Sequence, residues 1–186
     1  MKNFKGFTLI ELLIVIALLG ALAVGLLAAL DPFEQLKKGT DTGVRNTVSE
    51  FQGATIRYFA IKNFMPWCTD IDTDGTCLFN TDGTADPVAV TLTNLPATIA
   101  QIVATGELKT DFETLAGSGT LGKIIVFGDS ADSSLTVCYK PTSKSFTNDP
   151  NTKFDPATGV ANDADPAGTC TNTGDPATND CLWCVK

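Results

Sequence analysis

The chain has 186 residues, 44% of them apolar, enough to bury one core with little room for a second domain. Lys and Arg number 13 against 21 Asp and Glu, a net charge of -8 without a basic stripe, which argues against nucleic acid as a direct partner. Six cysteines and no histidine argue against the usual zinc sites and nucleophilic dyads and point to disulfides in an oxidising, extracytoplasmic compartment.

Apolar residues gather at the N-terminus, and the last third is rich in Asp, Asn, Thr, Gly and Pro. Lys2 and Lys5 precede an apolar run whose uncharged part, Leu12 to Leu30, covers 19 residues. Such a run makes about 29 Å of helix at roughly 1.5 Å per residue, enough to span a bilayer. Positive charge before it, with Asp31 and Glu34 after it, places the N-terminus in the cytoplasm and the rest outside. A secretory signal peptide fits badly despite the small residues Ala28 and Ala29, because its apolar region is about 7 to 15 residues long and would not carry Glu11. A carboxylate within hydrocarbon is costly, so Glu11 reads as functional.

The segment Lys5-Gly6-Phe7-Thr8-Leu9-Ile10-Glu11-Leu12-Leu13 resembles the prepilin leader junction of type IV pilins and type II secretion pseudopilins. The resemblance is strong over Met1 to Leu30, weaker to about Met65, and beyond that confined to architecture. It implies removal of a leader, residues 1–6, between Gly6 and Phe7 by a membrane prepilin peptidase, followed by N-methylation of the Phe7 amine. It also implies a non-enzymatic filament subunit whose partners are other copies of itself and related pilins, the pilus assembly machinery and, before assembly, inner-membrane lipid. Glu11 would then neutralise the Phe7 amine of a neighbouring subunit in a low-dielectric core and set register. The plainer reading is a carboxylate that caps its own helix or snorkels to the interface. A secretion pseudopilin, or a membrane-anchored calcium-binding module, is the alternative function.

The expected fold is α+β and pilin-like: a long N-terminal helix packed on a small antiparallel sheet, with a disulfide-tied C-terminal loop region. Its parts are the leader, a transmembrane helix over 7–30, an amphipathic continuation over 31–65 and an extracytoplasmic head over 66–186. Asp31-Pro32 can start a new helix or kink a continuing one, and a kink with continuation is preferred. Leu36, Thr40, Val44, Val48, Phe51, Thr55 and Tyr58 or Phe59 then recur at helical spacing, making a stripe for the head. Gly39, Gly43 and Gly53 weaken that helix and invite local unwinding, and Pro66 ends the run.

The Cys68 to Cys77 loop contains Asp70, Asp72, Asp74 and Gly75, an order like the first half of a calcium loop. Thr81 stands where the closing bidentate Glu belongs, so an EF-hand is not formed, and a solvated Asp-rich turn is the competing reading. No cofactor is required; calcium is the candidate ion. Pro96 to Thr105 reads as a short helix stopped by Gly106, and Lys123 to Phe127 with Leu135 to Lys140 as a hairpin. Leu182 to Lys186 reads as a further strand. Phe146 to Asp180 holds little apolar matter and repeats Asp-Pro from Asp149, Asp155, Asp165 and Asp175, so core burial alone cannot fold it.

Cys68 with Cys77 is the best local pairing, whereas Cys138, Cys170, Cys181 and Cys184 leave their connectivity open. Cys181-Leu-Trp-Cys184 lacks the helix start of a redox centre and the second close pair of a four-Cys zinc site, so it reads as structural. No Ser, Cys or carboxylate pair stands in a recognisable catalytic arrangement.

Overall fold

The computed structural model describes residues 6–29, 31–83, 85–161 and 170–186. Lys2, Lys5, Leu30 and Asp165, on which parts of the sequence reading rest, lie outside the described residues. The chain divides into two compact units, Met1–Leu36 and Lys37–Lys186.

The first unit is built on α1, Leu9–Ala29, a helix apolar on all sides. Its stretch Leu9–Leu27 is long and apolar enough to cross a membrane, and none of it is buried. A helix without a polar face has no stable place in water and needs lipid or other chains around it. Beyond it, the Asp31 carboxylate accepts hydrogen bonds from the backbone N–H groups of Phe33 (3.1 Å) and Glu34 (3.2 Å). Asp31 is thus the N-cap of α2, Pro32–Lys62, with Pro32 in the first helical position, where its missing N–H costs nothing. With α1 it makes the expected long N-terminal helical stretch over 9–62, interrupted at Asp31.

From Lys37 onward α2 belongs to the second unit, and it runs unbroken through Gly39, Gly43 and Gly53, so the expected unwinding is not seen. Val44, Val48, Phe51, Ala54, Thr55 and Tyr58 form its buried face. Leu36 and Thr40 are exposed instead, and Asp41 takes the place expected of Thr40. The helix ends before Pro66, at Lys62, where Asn63 adopts a left-handed conformation with φ 62° and donates its N–H to the Phe59 carbonyl at 2.7 Å.

The hairpin of β1, Cys68–Ile71, and β2, Cys77–Phe79, follows. After it come β3, Val90–Thr91, and a short 3-10 turn. Three helices are next: α3, Pro96–Ala104, as expected, then α4, Phe112–Ala116, and α5, Ser118–Leu121. Strands β4, Ile124–Asp129, and β5, Ser134–Tyr139, make the expected hairpin. A single turn of helix, α6, Lys144–Thr147, leads to β6, Thr152–Phe154, and the chain closes on β7, Leu182–Val185. The sheet order is β3-β4-β5-β7-β6 with antiparallel neighbours throughout.

Alternation along the strands gives the sheet two apolar faces. Ile124, Val126, Leu135, Val137 and Tyr139 join Val48, Phe51 and Tyr58 of α2 in the main core, with Leu92, Ile99 and Ile102 closing it. Phe127, Phe154 and Leu182 pack on the other face around Cys138 and Cys184. At roughly 1.5 to 3 kcal/mol for each fully buried large side chain, the first cluster dominates stability.

A polar clamp fixes α2 on this sheet. Asp41, 2% exposed, accepts from the N–H (2.9 Å) and hydroxyl (2.7 Å) of Thr142 and from the N–H (2.7 Å) and hydroxyl (2.8 Å) of Ser143. One turn along, the Arg45 guanidinium lies 4.5 Å from the ring centre of Trp183 and 3.6 Å from the Asp149 carboxylate.

The Asp-Pro repeats of the polar tail have a local purpose. Asp149, Asp155 and Asp175 each accept the N–H two residues on, at Asn151 (2.8 Å), Ala157 (2.8 Å) and Ala177 (3.0 Å), the geometry of an Asx-turn with proline fixing the middle φ. Asn172 donates to the carbonyls of Thr147 (2.9 Å) and Thr152 (2.8 Å), stitching the tail to α6 and β6. The disulfides are Cys68–Cys77, as expected, Cys138–Cys184 and Cys170–Cys181.

Candidate functional site

The N-terminal site is set at the first turn of α1. Glu11 accepts hydrogen bonds from the backbone N–H (2.9 Å) and the hydroxyl (2.8 Å) of Thr8, and the Glu11 N–H donates back to the Thr8 hydroxyl at 3.3 Å. This reciprocal pattern is a capping box, and Thr8-Leu9-Ile10-Glu11 is its sequence signature. Thr8 was the readable residue passed over: its Thr-x-x-Glu spacing was present in the sequence. Gly6 and Phe7 precede the helix in exposed, non-helical chain, with Phe7 87% exposed. Nothing lies within 4 Å of where a side chain on Gly6 would begin. The Gly6–Phe7 bond is therefore open to an enzyme, one peptide away from the amide that Glu11 holds.

Leu9, Ile10, Leu12, Leu13, Ile14 and their successors to Leu27 are exposed around the whole circumference of α1, and Phe33 and Leu36 add 73% and 69% exposed apolar side chains in the same unit. An apolar surface of that extent on an isolated chain marks a surface covered elsewhere.

Residues 1–27 match the family model of the prokaryotic N-terminal methylation motif, which is typical of type IV pilins and pseudopilins. No curated protein and no solved structure matches the chain. The matched segment contains Gly6, Phe7 and Glu11 together with most of α1, so the motif and the exposed span coincide. Among the described residues one helix, near the N-terminus, is long and apolar enough to cross a membrane, which agrees with membrane anchoring.

The second candidate site is rearranged. Asp70, Asp72 and Asp74 lie on the β1–β2 hairpin, but no group of three His, Cys, Asp or Glu that could hold a metal ion occurs among the described residues. The turn has a local reason for its aspartates. Asp72 accepts from the N–H groups of Asp74 (2.9 Å) and Thr76 (2.8 Å), closing its own turn, and Asp70 accepts from the N–H of Ile71 at 2.8 Å. Gly75, at φ 81°, supplies the left-handed residue which that turn requires.

The cysteines form three bridges that leave none free, and the two of the Cys181-Leu-Trp-Cys184 segment go to different partners. Cys138 and Cys184 face each other across β5 and β7 in register. Strand alternation alone could have suggested that Cys184 and Cys181 sit on separate elements, since Cys181 precedes β7.

Proposed function

We propose that this pilin-like chain is a structural subunit of a type IV pilus or related filament. The observation that carries the reading is the exposed apolar helix α1 bearing the methylation motif at its start. In the inner membrane that helix lies in lipid with its N-terminus on the cytoplasmic side. Prepilin peptidase removes residues 1–6 between Gly6 and Phe7, and the Phe7 amine is methylated. In the filament the same helix packs against α1 of other copies or related pilins, which replaces lipid contacts by close helix packing. Glu11 of one subunit then meets the cationic Phe7 amine of its neighbour.

Two experiments test this. Cells lacking the gene are imaged for loss of surface filaments, and filaments shed from normal cells are weighed by intact mass. The expected mass corresponds to a chain beginning at a methylated Phe7 with three disulfides. A chain beginning at Met1 or near Asp31, or filaments from which the protein is missing, would overturn the reading. The pseudopilin reading is separated by secretion: in that case the deletion blocks export of a folded enzyme and leaves surface filaments intact.

A further inference from the structure

The second unit carries a groove whose charged lining residues are opposite in sign to the net charge of the chain. About 570 Å³ in volume, it is floored in part by Ile125, Pro141 and Ala177 and rimmed by Lys37, Lys123 and Lys140. All three lysines are exposed, and none forms an ion pair among the described residues. No acidic side chain is among the residues that line the groove. In a chain of net charge -8, three lysines without an ion pair among the described residues, set around apolar side chains, suit an acidic partner.

The chain itself offers such a partner. The β1–β2 hairpin carries Asp70, Asp72 and Asp74 and no basic residue, and all three aspartates are exposed. Asp70 stands opposite Leu78 across the strands, and Leu78 is 48% exposed, so one face presents a carboxylate beside a large apolar side chain. That pairing matches a groove with lysines above an apolar floor.

The two surfaces lie at opposite ends of the head. The groove takes in Lys37, near the start of α2, and Lys123, just before β4. The hairpin residues Ile71 and Gly75 line a cavity with Phe59, near the end of α2, and with Ser130, just beyond β4. The helix from Lys37 to Phe59 measures about 33 Å at roughly 1.5 Å per residue. We propose that heads stack head to tail, with the acidic β1–β2 hairpin of one copy seated in the lysine-rimmed groove of the next. A contact between two unlike surfaces at opposite ends is heterologous, and it propagates along an axis instead of closing into a dimer. Exposed ion pairs contribute little affinity but select register, because a slipped or inverted copy sets like charges together.

This proposal rests on the filament reading, and its test keeps the two apart. A photo-crosslinking residue replaces Ala177 in the full-length, processed protein, and crosslinked peptides are mapped both in shed filaments and in membranes. The expected product joins residue 177 to the Cys68–Phe79 hairpin of a second copy. Lys123→Glu with Lys140→Glu should lower filament yield by about tenfold or more, as should Asp70→Lys with Asp74→Lys, because each sets like charges face to face. The four changes together should restore most of the yield. Disulfide content and melting temperature of each variant confirm that the head is folded. Unchanged yield from the folded lysine pair, failure of the fourfold variant to recover, or crosslinks that reach only another segment, a glycan or a different protein would each overturn the docking. Absence of filaments from the unaltered protein would speak against the filament reading, and the membrane crosslink would still decide the docking.

Discussion

Glu11 and Thr8 cap one another at the start of α1, the carboxylate 2.8 Å from the hydroxyl and 2.9 Å from the amide nitrogen. The Glu11 carboxylate therefore has a neutral partner within its own chain. In the filament proposed above, a neighbour's Phe7 amine, being charged, would be the stronger hydrogen-bond donor and would take the carboxylate over.

Glu11→Ala should leave expression, insertion and the head intact and abolish or sharply reduce filaments. Glu11→Gln keeps an oxygen able to cap Thr8 and loses only the charge, so filament yield from correctly processed Gln protein separates capping from charge neutralisation. Yield near normal for Gln would show that the cap suffices.

Asp41→Ala strips four hydrogen bonds from a site 2% exposed and leaves the Thr142 and Ser143 amides without their acceptor. A loss of about 3 kcal/mol or more in denaturant unfolding is expected, since each unsatisfied buried donor costs roughly 1 to 3 kcal/mol. A change below about 1 kcal/mol, within the range of a surface substitution, would show that the clamp is dispensable.

Tyr58 and Tyr139 are both held protonated above the ordinary tyrosine range by burial, and at Tyr139 the Asp41 carboxylate adds to the effect while Arg45 opposes it. Above about pH 10 the unfolded chain releases these protons and the folded chain keeps them, so stability falls with rising pH by up to roughly 1.4 kcal/mol per unit for each tyrosine. Tyr139→Phe should make that alkaline decline shallower. The Tyr139 hydroxyl has no hydrogen-bond partner among the described residues, so at neutral pH the same change should cost less than about 1 kcal/mol. Denaturant melts from pH 8 to 11 check both outcomes.

Alkylation before reduction should label no cysteine. Replacing Cys138 and Cys184 by Ser should destabilise the head more than replacing Cys170 and Cys181, because the first bridge closes a sequence separation of 46 and the second one of 11. Chain entropy makes that difference about 1 kcal/mol within losses of roughly 2 to 4 kcal/mol. The reverse order in thermal melts would place the stabilisation in native packing instead.

Calcium and its chelation should leave the melting temperature unchanged, because Asp72 closes its own turn and the three hairpin carboxylates do not converge. A rise in melting temperature with calcium, lost in Asp74→Ala, would restore the ion site by mass action.

The parts readable in the sequence are those with a local cause. The apolar run of α1, the stripe from Val44 to Tyr58, the β4–β5 hairpin and the Cys68–Cys77 bridge follow from periodicity, turn residues and short separation. What escaped depends on distant partners. Asp41 looks like an exposed helical acid until Thr142 is folded against it, 101 residues away. Strand β3 has two residues and β6 three, too short for alternation to register, and both exist because β4 and β7 offer them an edge. At the N-terminal site, the Thr8-x-x-Glu11 capping signature is local and legible in the sequence.

The position of β7 has a consequence for how the protein is made. Strand β7 follows β3 to β6 in the chain yet lies inside the sheet, paired with β5 on one side and β6 on the other. Until residues 182–185 are made and paired, β5 and β6 expose open edges and Cys138 lacks Cys184. A chain cut before Leu182 would be left with those edges and an unpaired Cys138 thiol.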